Sequence, residues 1–257
     1  MEKKVQNHTV FSDLGADAAE VLVQCRGCGV IGVERRRWEV KILNLYAGIG
    51  GNRKLWGDEH QITAVEYMPD VAAVYSHMFP TDTVVIADAH QYLLEHYSEF
   101  DFIWSSPPCP SHSRARQGLG VSRGQVKPIY ADMRLYEEII FLQYNFRGLY
   151  AVENVQPYYE PLIKPTAIVQ RHPFWANYDL RDIGGEPDNI SSTTNAKRQH
   201  KLGIDLANYK LADRRKALRN CMDPLLGKYV LDMATLSVEV IHTTYPQADL
   251  HLTIDFE

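Results

Sequence analysis

A cysteine set directly behind two prolines is the residue in this chain best suited to covalent chemistry. It lies in Ser105-Ser106-Pro107-Pro108-Cys109-Pro110-Ser111-His112-Ser113-Arg114-Ala115-Arg116. A thiol that loses its proton is a strong nucleophile. The residues after Cys109 are small, hydroxylated or basic, suited to a mobile loop that meets phosphates. The apolar run from Phe100 to Trp104 reads as a buried strand that the prolines stop. Cys109 then falls at a strand's carboxyl end, the edge where ligands bind in an open α/β sheet. Read alone, Pro108-Cys109 fits a buried structural cysteine after a tight turn better. The other strand ends change that.

Val40 to Tyr46 is a first buried strand. It runs into Ala47-Gly48-Ile49-Gly50-Gly51 and then the helix-compatible stretch Asn52 to Trp56. Strand, glycine turn and helix let a backbone approach a nucleotide-like ligand. The dinucleotide pattern G-x-G-x-x-G is not met, and no lysine–hydroxyl pair follows for a nucleoside triphosphate. Ile62 to Tyr67 is a second strand, ending in Glu66 beside Tyr67. An acid there accepts from ribose hydroxyls, and an aromatic neighbour packs on a base. Otherwise Glu66 caps the helix starting near Pro69. Thr83 to Asp88 is a third strand; Asp88 either meets a base amino group or caps the helix Ala89 to Tyr97. Leu149 to Val155 ends in Glu153 and Asn154, whose alternative role is again a helix cap.

The elements between these ends are ordinary. Apolar residues at Met133, Tyr136, Ile140 and Tyr144 give Ile129 to Arg147 a helical period. Ala167 to Asn177 is strand-like with an interruption at Pro173. Gly184 to Lys201 is polar and turn-rich and reads as an exposed insertion. Asp213 to Ala234 is helical, broken at Pro224 and Gly227, with Cys221 in the core. Leu250 to Phe256 alternates like an edge strand.

The 257 residues suffice for one α/β domain with a modest insertion. At 45% hydrophobic and 23% charged the composition is that of a soluble globular protein. No run reaches membrane-spanning length, and Met1 to Thr9 lacks a secretory core. Only 4 cysteines argue against a disulfide framework and point to a reducing, cytoplasmic setting. The net charge of -5 leaves room for a local basic face. Residues 1–38 form an extension with a short amphipathic stretch, Asp13 to Val23. Its Cys25-Arg26-Gly27-Cys28 is either half a zinc site or a solvated turn, and without two more ligands no metal is expected.

Glycine turn, acid, acid, Pro-Cys and Glu-Asn-Val, each at a strand end and in that order, resemble the DNA (cytosine-5)-methyltransferase family. Tyr46-Ala47-Gly48-Ile49-Gly50-Gly51 matches its Phe-x-Gly-x-Gly motif with Tyr46 in the aromatic place. Pro108-Cys109 matches its nucleophile motif, Glu153-Asn154-Val155 its Glu-Asn-Val motif, and Arg219-Asn220-Cys221 a diverged form of its late asparagine motif. The likeness runs from about Lys41 to Ala234. Departures are Pro110 for glutamine, His112 for phenylalanine, and His172 at the usual arginine with Arg171 one place off. The recognition region, about Leu180 to Leu211, is short.

The resemblance implies a Rossmann-like methyltransferase fold, a mostly parallel twisted sheet with helices on both faces. The expected organisation is a core over 39–180, a target-recognition insertion over 181–212 and a completing helix and tail over 213–257. It implies S-adenosylmethionine bound by Tyr46 to Gly51, Glu66, Tyr67, Asp88, Pro107 and Asn220. Cys109 would add to C6 of a flipped-out cytosine, helped by the loop arginines Arg114 and Arg116. Glu153 would hold N3, Asn154 would orient the cysteine loop, and Arg171 or His172 would reach the base. Ser111, Ser113, Arg114, Arg116, Arg123, Lys197 and Arg198 would meet double-stranded DNA. A bacterial or phage-infected cell is the expected setting, with restriction–modification the expected context and a partner subunit a candidate source of recognition. The rival readings are a transfer RNA cytosine-5 methyltransferase and a regulator that no longer catalyses.

Overall fold

The computed structural model describes residues 39–183 and 194–244. Seven strands form one sheet: β1 (Lys41–Leu45), β2 (Gln61–Val65), β3 (Thr83–Val85), β4 (Phe102–Ser105), β5 (Leu149–Glu153), β6 (Ala167–Val169) and β7 (His172–Ala176). Their spatial order is β3-β2-β1-β4-β5-β7-β6. The first five are parallel, β7 runs antiparallel to β5, and β6 antiparallel to β7. The order reverses between β1 and β4, the switch point at which open α/β sheets bind ligands. This is a Rossmann-like methyltransferase topology.

The helices are α1 (Pro69–Met78), α2 (Ala89–His96), α3 (Arg134–Asn145), α4 (Asn195–Leu202), α5 (Arg214–Asn220) and α6 (Pro224–Thr244). The central strands are apolar at successive positions because both faces are covered. Ile42, Phe102, Trp104 and Ala151 face a core closed by Leu226, Val230 and Leu231 of α6. Leu43, Leu45, Ile103 and Val152 face α2 and α3 through Leu93, Leu135, Ile139 and Leu142. Local chemistry sets the helix starts. Proline opens α1, Asp88 caps α2 by accepting from the His90 and Gln91 amides, and Asp213 caps α5.

Several elements differ from the sequence reading. Asn52 to Trp56 holds only a 3-10 turn, Arg53–Leu55, with Arg53 buried and paired to Asp82 at 2.8 Å. The helix expected from Ile129 begins at Arg134. The interruption in Ala167 to Asn177 lies at Gln170, whose φ of 57° turns the chain, while Pro173 sits inside β7 opposite Ile168. The last helical stretch is two helices that part at residues 221–223, with Pro224 opening α6. Gly227 lies within α6 because it packs on backbone: a Cβ there would stand 2.4 Å from the Asn52 carbonyl oxygen. Part of the polar insertion is α4, and its last residue Leu202, with Ile204 and Leu206 just beyond it, packs into a core with Ile49 and Val74. The Asp13 to Val23 stretch, Cys25 and Cys28, and Leu250 to Phe256 lie outside the described residues.

Candidate active site

The carboxyl ends of β3, β2, β1, β4 and β5 present Asp88, Glu66, Tyr46, Pro107 and Asn154 along one edge. A cleft of about 30 Å³ opens there, lined among others by Tyr46, Ala47, Gly51, Ser106, Glu153 and Asn220. It spans the β1–β4 switch point.

The glycine turn starts with two left-handed residues, Tyr46 at φ 56° and Gly48 at φ 58°. A Cβ on Gly48 would meet nothing nearer than 4.0 Å, so this position leaves open space beside the strand ends. Gly50 and Gly51 are glycines for another reason. A Cβ on Gly50 would strike Phe79 and Tyr75, and one on Gly51 would strike the Met222 carbonyl and Cys221 Sγ. Ile49 is fully buried in the core beside α1. The Ile49 side chain is thus committed to packing, and at Gly50 and Gly51 only the backbone remains to face a ligand.

Glu66 braces the turn. Its Oε2 accepts from Gly48 N at 2.9 Å, and its Oε1 from Met68 N at 2.9 Å. Each oxygen keeps a lone pair for a further donor. Tyr67 is 69% exposed and Ile86 58% exposed, an apolar surface between Glu66 and Asp88. Asp88 performs the helix cap and also meets Arg134 Nη1 at 3.4 Å. Acids beside an open apolar surface, next to the free space at Gly48, fit the adenosine part of S-adenosylmethionine.

Asn154 ties the cysteine loop to β5. Its Nδ2 donates to the Pro107 carbonyl at 2.9 Å, and its Oδ1 accepts from Val155 N. The Cys109 carbonyl accepts from the amides of His112 and Ser113, closing a tight turn. His112 is fully buried; its Nδ1 lies 2.6 Å from Tyr159 Oη, and burial lowers its pKa. The Cys109 thiol is pushed up to about 11, first by burial and then by the charge of Glu153; Arg219 pulls the other way.

This corrects the role expected of Arg114 and Arg116. Arg114 donates to the Pro157 carbonyl and Gln156, and Arg116 to the Lys127 carbonyl. They brace the loop rather than lower the thiol. Ser111 is likewise an anchor: it is buried, and its Oγ accepts from Asp132 N. Ser113 pairs by backbone with Pro157. Arg123 and Lys197 are exposed, and Arg198 lies beside Lys197 on α4.

His172, on β7, brings Nδ1 to 2.6 Å from Glu153 Oε1. Arg171 occupies the hairpin turn before it. Glu153 is 8% exposed, held on a strand paired on both sides.

The sequence reading missed Glu138, a fully buried carboxylate on α3 beneath the cleft. It accepts from Tyr46 Oη at 2.5 Å and Ser105 Oγ at 2.6 Å, and meets His90 Nδ1 at 3.0 Å. Its signal was an acid on the same helical stripe as Leu135, Ile139 and Leu142. Arg219, whose charge acts on the Cys109 thiol, carries no such signal in the sequence beyond its place in a late motif and a basic run.

Residues 40–139 match the family model for C-5 cytosine-specific DNA methylase. No curated protein matches the chain. Among solved structures, a DNMT2 mutant from Spodoptera frugiperda is 27% identical over 45% of this chain and 35% of its own, with a TM-score of 0.31. A SAM-dependent methyltransferase from Agrobacterium tumefaciens is 14% identical over 48% and 41%, with a TM-score of 0.34. EhMeth, a methyltransferase from Entamoeba histolytica, is 13% identical over 64% and 66%, with a TM-score of 0.36. The matched part thus spans about a third of the DNMT2 chain.

Proposed function

We propose that this chain, whose residues 40–139 match the family model for C-5 cytosine-specific DNA methylase, transfers a methyl group from S-adenosylmethionine to C5 of cytosine in DNA. One observation carries the reading beyond the family match. Cys109 and Glu153 follow or end adjacent parallel strands, and Asn154 locks one strand end to the other through the Pro107 carbonyl.

Cytosine C5 is a weak nucleophile. Addition of Cys109 Sγ to C6 breaks the C5–C6 double bond and makes C5 reactive. The base must leave its stack to reach this edge. Glu153 takes cytosine N3, shares a proton with it and offsets the charge that develops on the ring. The same contact bears on the thiol. The charge of Glu153 helps to hold Cys109 protonated, so a base that engages Glu153 also eases thiolate formation. Nucleophile activation is then coupled to substrate entry.

S-adenosylmethionine supplies an electrophilic methyl group. Tyr46, Ala47, Gly48 and Gly51 would bound it at the turn, with Glu66, Tyr67 and Asp88 on its nucleoside and Asn220 across the cleft. Loss of the C5 proton and departure of Cys109 then restore the aromatic ring. Arg123 and Lys197, both exposed, are the free-standing candidates for phosphate contacts.

The test is incubation of the full chain with S-adenosylmethionine and duplex DNA carrying 5-fluorocytosine. Fluorine cannot leave C5 as a proton does, so a covalent adduct on Cys109 should accumulate, and Cys109→Ser should form none. Labelled methyl groups on transfer RNA in place of DNA would move the substrate to RNA. Methylation by folded Cys109→Ser would move the chemistry away from C5.

A further inference from the structure

The turn after β1 and the loop after β4 must stand at one fixed separation, because one holds the methyl donor and the other the nucleophile. Backbone pairing aligns β1 with β4 only as far as Leu45 and Ser105. Beyond those residues the two chains part. Asn154 fixes the β4 loop to β5, and Glu66 fixes Gly48 from the β2 side. Neither links the two halves to each other. Glu138 does so from beneath.

The Glu138 carboxylate is fully enclosed and divides its oxygens between the halves. Oε1 accepts from Tyr46 Oη at 2.5 Å, on the cofactor side. Oε2 accepts from Ser105 Oγ at 2.6 Å, on the nucleophile side. The third neighbour, His90 Nδ1, lies 3.0 Å from Oε1 and joins α2 to the set. Tyr46 is an aromatic residue at φ 56°, a left-handed conformation that is strained for an L-residue and persists only where its surroundings hold it. Its phenol is buried and raised far above its ordinary range by that burial and by Glu138, so it remains a donor. The bond to Glu138 pins the side chain, and the pinned residue opens the turn.

We propose that Glu138 is a positioning residue that sets the cofactor turn against the cysteine loop through the hydroxyls of Tyr46 and Ser105. It touches neither substrate nor cofactor. The Tyr46 limb belongs to this chain's own sequence, since the resembled motif has phenylalanine there. The proposal rests on the methyltransferase reading above.

The test separates the limbs by calorimetric titration with S-adenosylmethionine and by capture of 5-fluorocytosine duplex. Tyr46→Phe and Glu138→Gln should each weaken cofactor affinity about tenfold, the size of one buried charged hydrogen bond, and the double variant should bind no more weakly than Glu138→Gln. Ser105→Ala should bind cofactor within about twofold of wild type yet form the Cys109 adduct about tenfold more slowly at saturating cofactor. Leu142→Ala, a cavity on the same helix, should lower Tm and leave cofactor affinity within about twofold. The proposal falls if both hydroxyl variants behave as wild type, if the Tyr46 and Glu138 effects multiply, or if Leu142→Ala weakens the cofactor as much as Glu138→Gln. Wild-type binding with unaffected variants overturns this proposal alone. A wild-type chain that binds no S-adenosylmethionine overturns the functional reading as well.

Discussion

His172 Nδ1 and Glu153 Oε1 stand 2.6 Å apart across the antiparallel β5–β7 pair. The two strands fix both Cα positions, so the contact is set by the sheet rather than by loop flexibility. It occupies one Glu153 oxygen and leaves the other for a substrate. His172→Ala should leave cofactor affinity unchanged and slow methyl transfer by about tenfold or more, because a nearly buried carboxylate loses its partner. Steady-state kinetics with separate calorimetry checks this; equal loss in both would mean that His172 only stabilises the fold.

The raised thiol makes a prediction about pH. With Cys109 near 11, its alkylation by iodoacetamide should climb about tenfold per pH unit from pH 7 to 10, with no plateau. Peptide-resolved mass spectrometry distinguishes it from the other cysteines. The folded value lies above the thiol's ordinary value of 9.0, so the free thiol's contribution to stability is whole below about pH 9 and is lost as pH rises toward 11. A plateau below pH 9 would contradict the burial effect.

His112 works in the opposite direction. Burial lowers its pKa, so the folded chain keeps the ring neutral where an unfolded one would bind a proton. Its contribution is whole above about pH 6.5 and fades as pH falls through the folded value. Between pH 7.5 and 5.5 the wild type should lose more Tm than His112→Phe. Parallel losses in the two proteins would remove His112 from the acid sensitivity.

Gly227→Ala tests the close approach of α6. In an open helix the change would gain about 1 kcal/mol. Here the new methyl would meet the Asn52 backbone at 2.4–2.5 Å, where overpacking costs about 1–3 kcal/mol. Tm should therefore fall. A rise would mean that α6 shifts freely.

Target recognition should be short, permissive or dependent on a partner. Leu202, Ile204 and Leu206 are drawn into the core, which removes chain from the region between Asn177 and Asp213 that would read bases. Bisulfite sequencing of DNA from expressing cells is the check. Methylation confined to one long, strictly defined site by the isolated chain would contradict it.

The strands were legible because each is a short apolar run bounded by an acid, proline or glycine, and both faces of the central strands are buried. The edge that gathers Tyr46, Glu66, Asp88, Pro107 and Asn154 follows from that alternation of strand and helix. What stayed hidden depends on contacts distant in sequence. Gly50 and Gly51 look like glycines for a ligand, but Tyr75, Phe79, Cys221 and Met222 supply the reason. Pro173 looks like a strand breaker, yet the left-handed Gln170 makes the turn. Glu138 was invisible because an acid on an apolar stripe reads as a blemish until its three partners, from three elements, are in view.

Cys221 and Met222 cover Gly51, and α6 seats Gly227 on Asn52, so the turn after β1 is completed by residues some 170 positions later in the chain. During synthesis that turn must wait, its neighbours exposed, until the join between α5 and α6 has emerged. A nascent chain stalled before residue 221 would carry Cys109, Glu153 and every strand of the sheet and still lack a finished cleft. Closure of the cleft is thereby tied to the arrival of α5 and α6 rather than to assembly of the sheet.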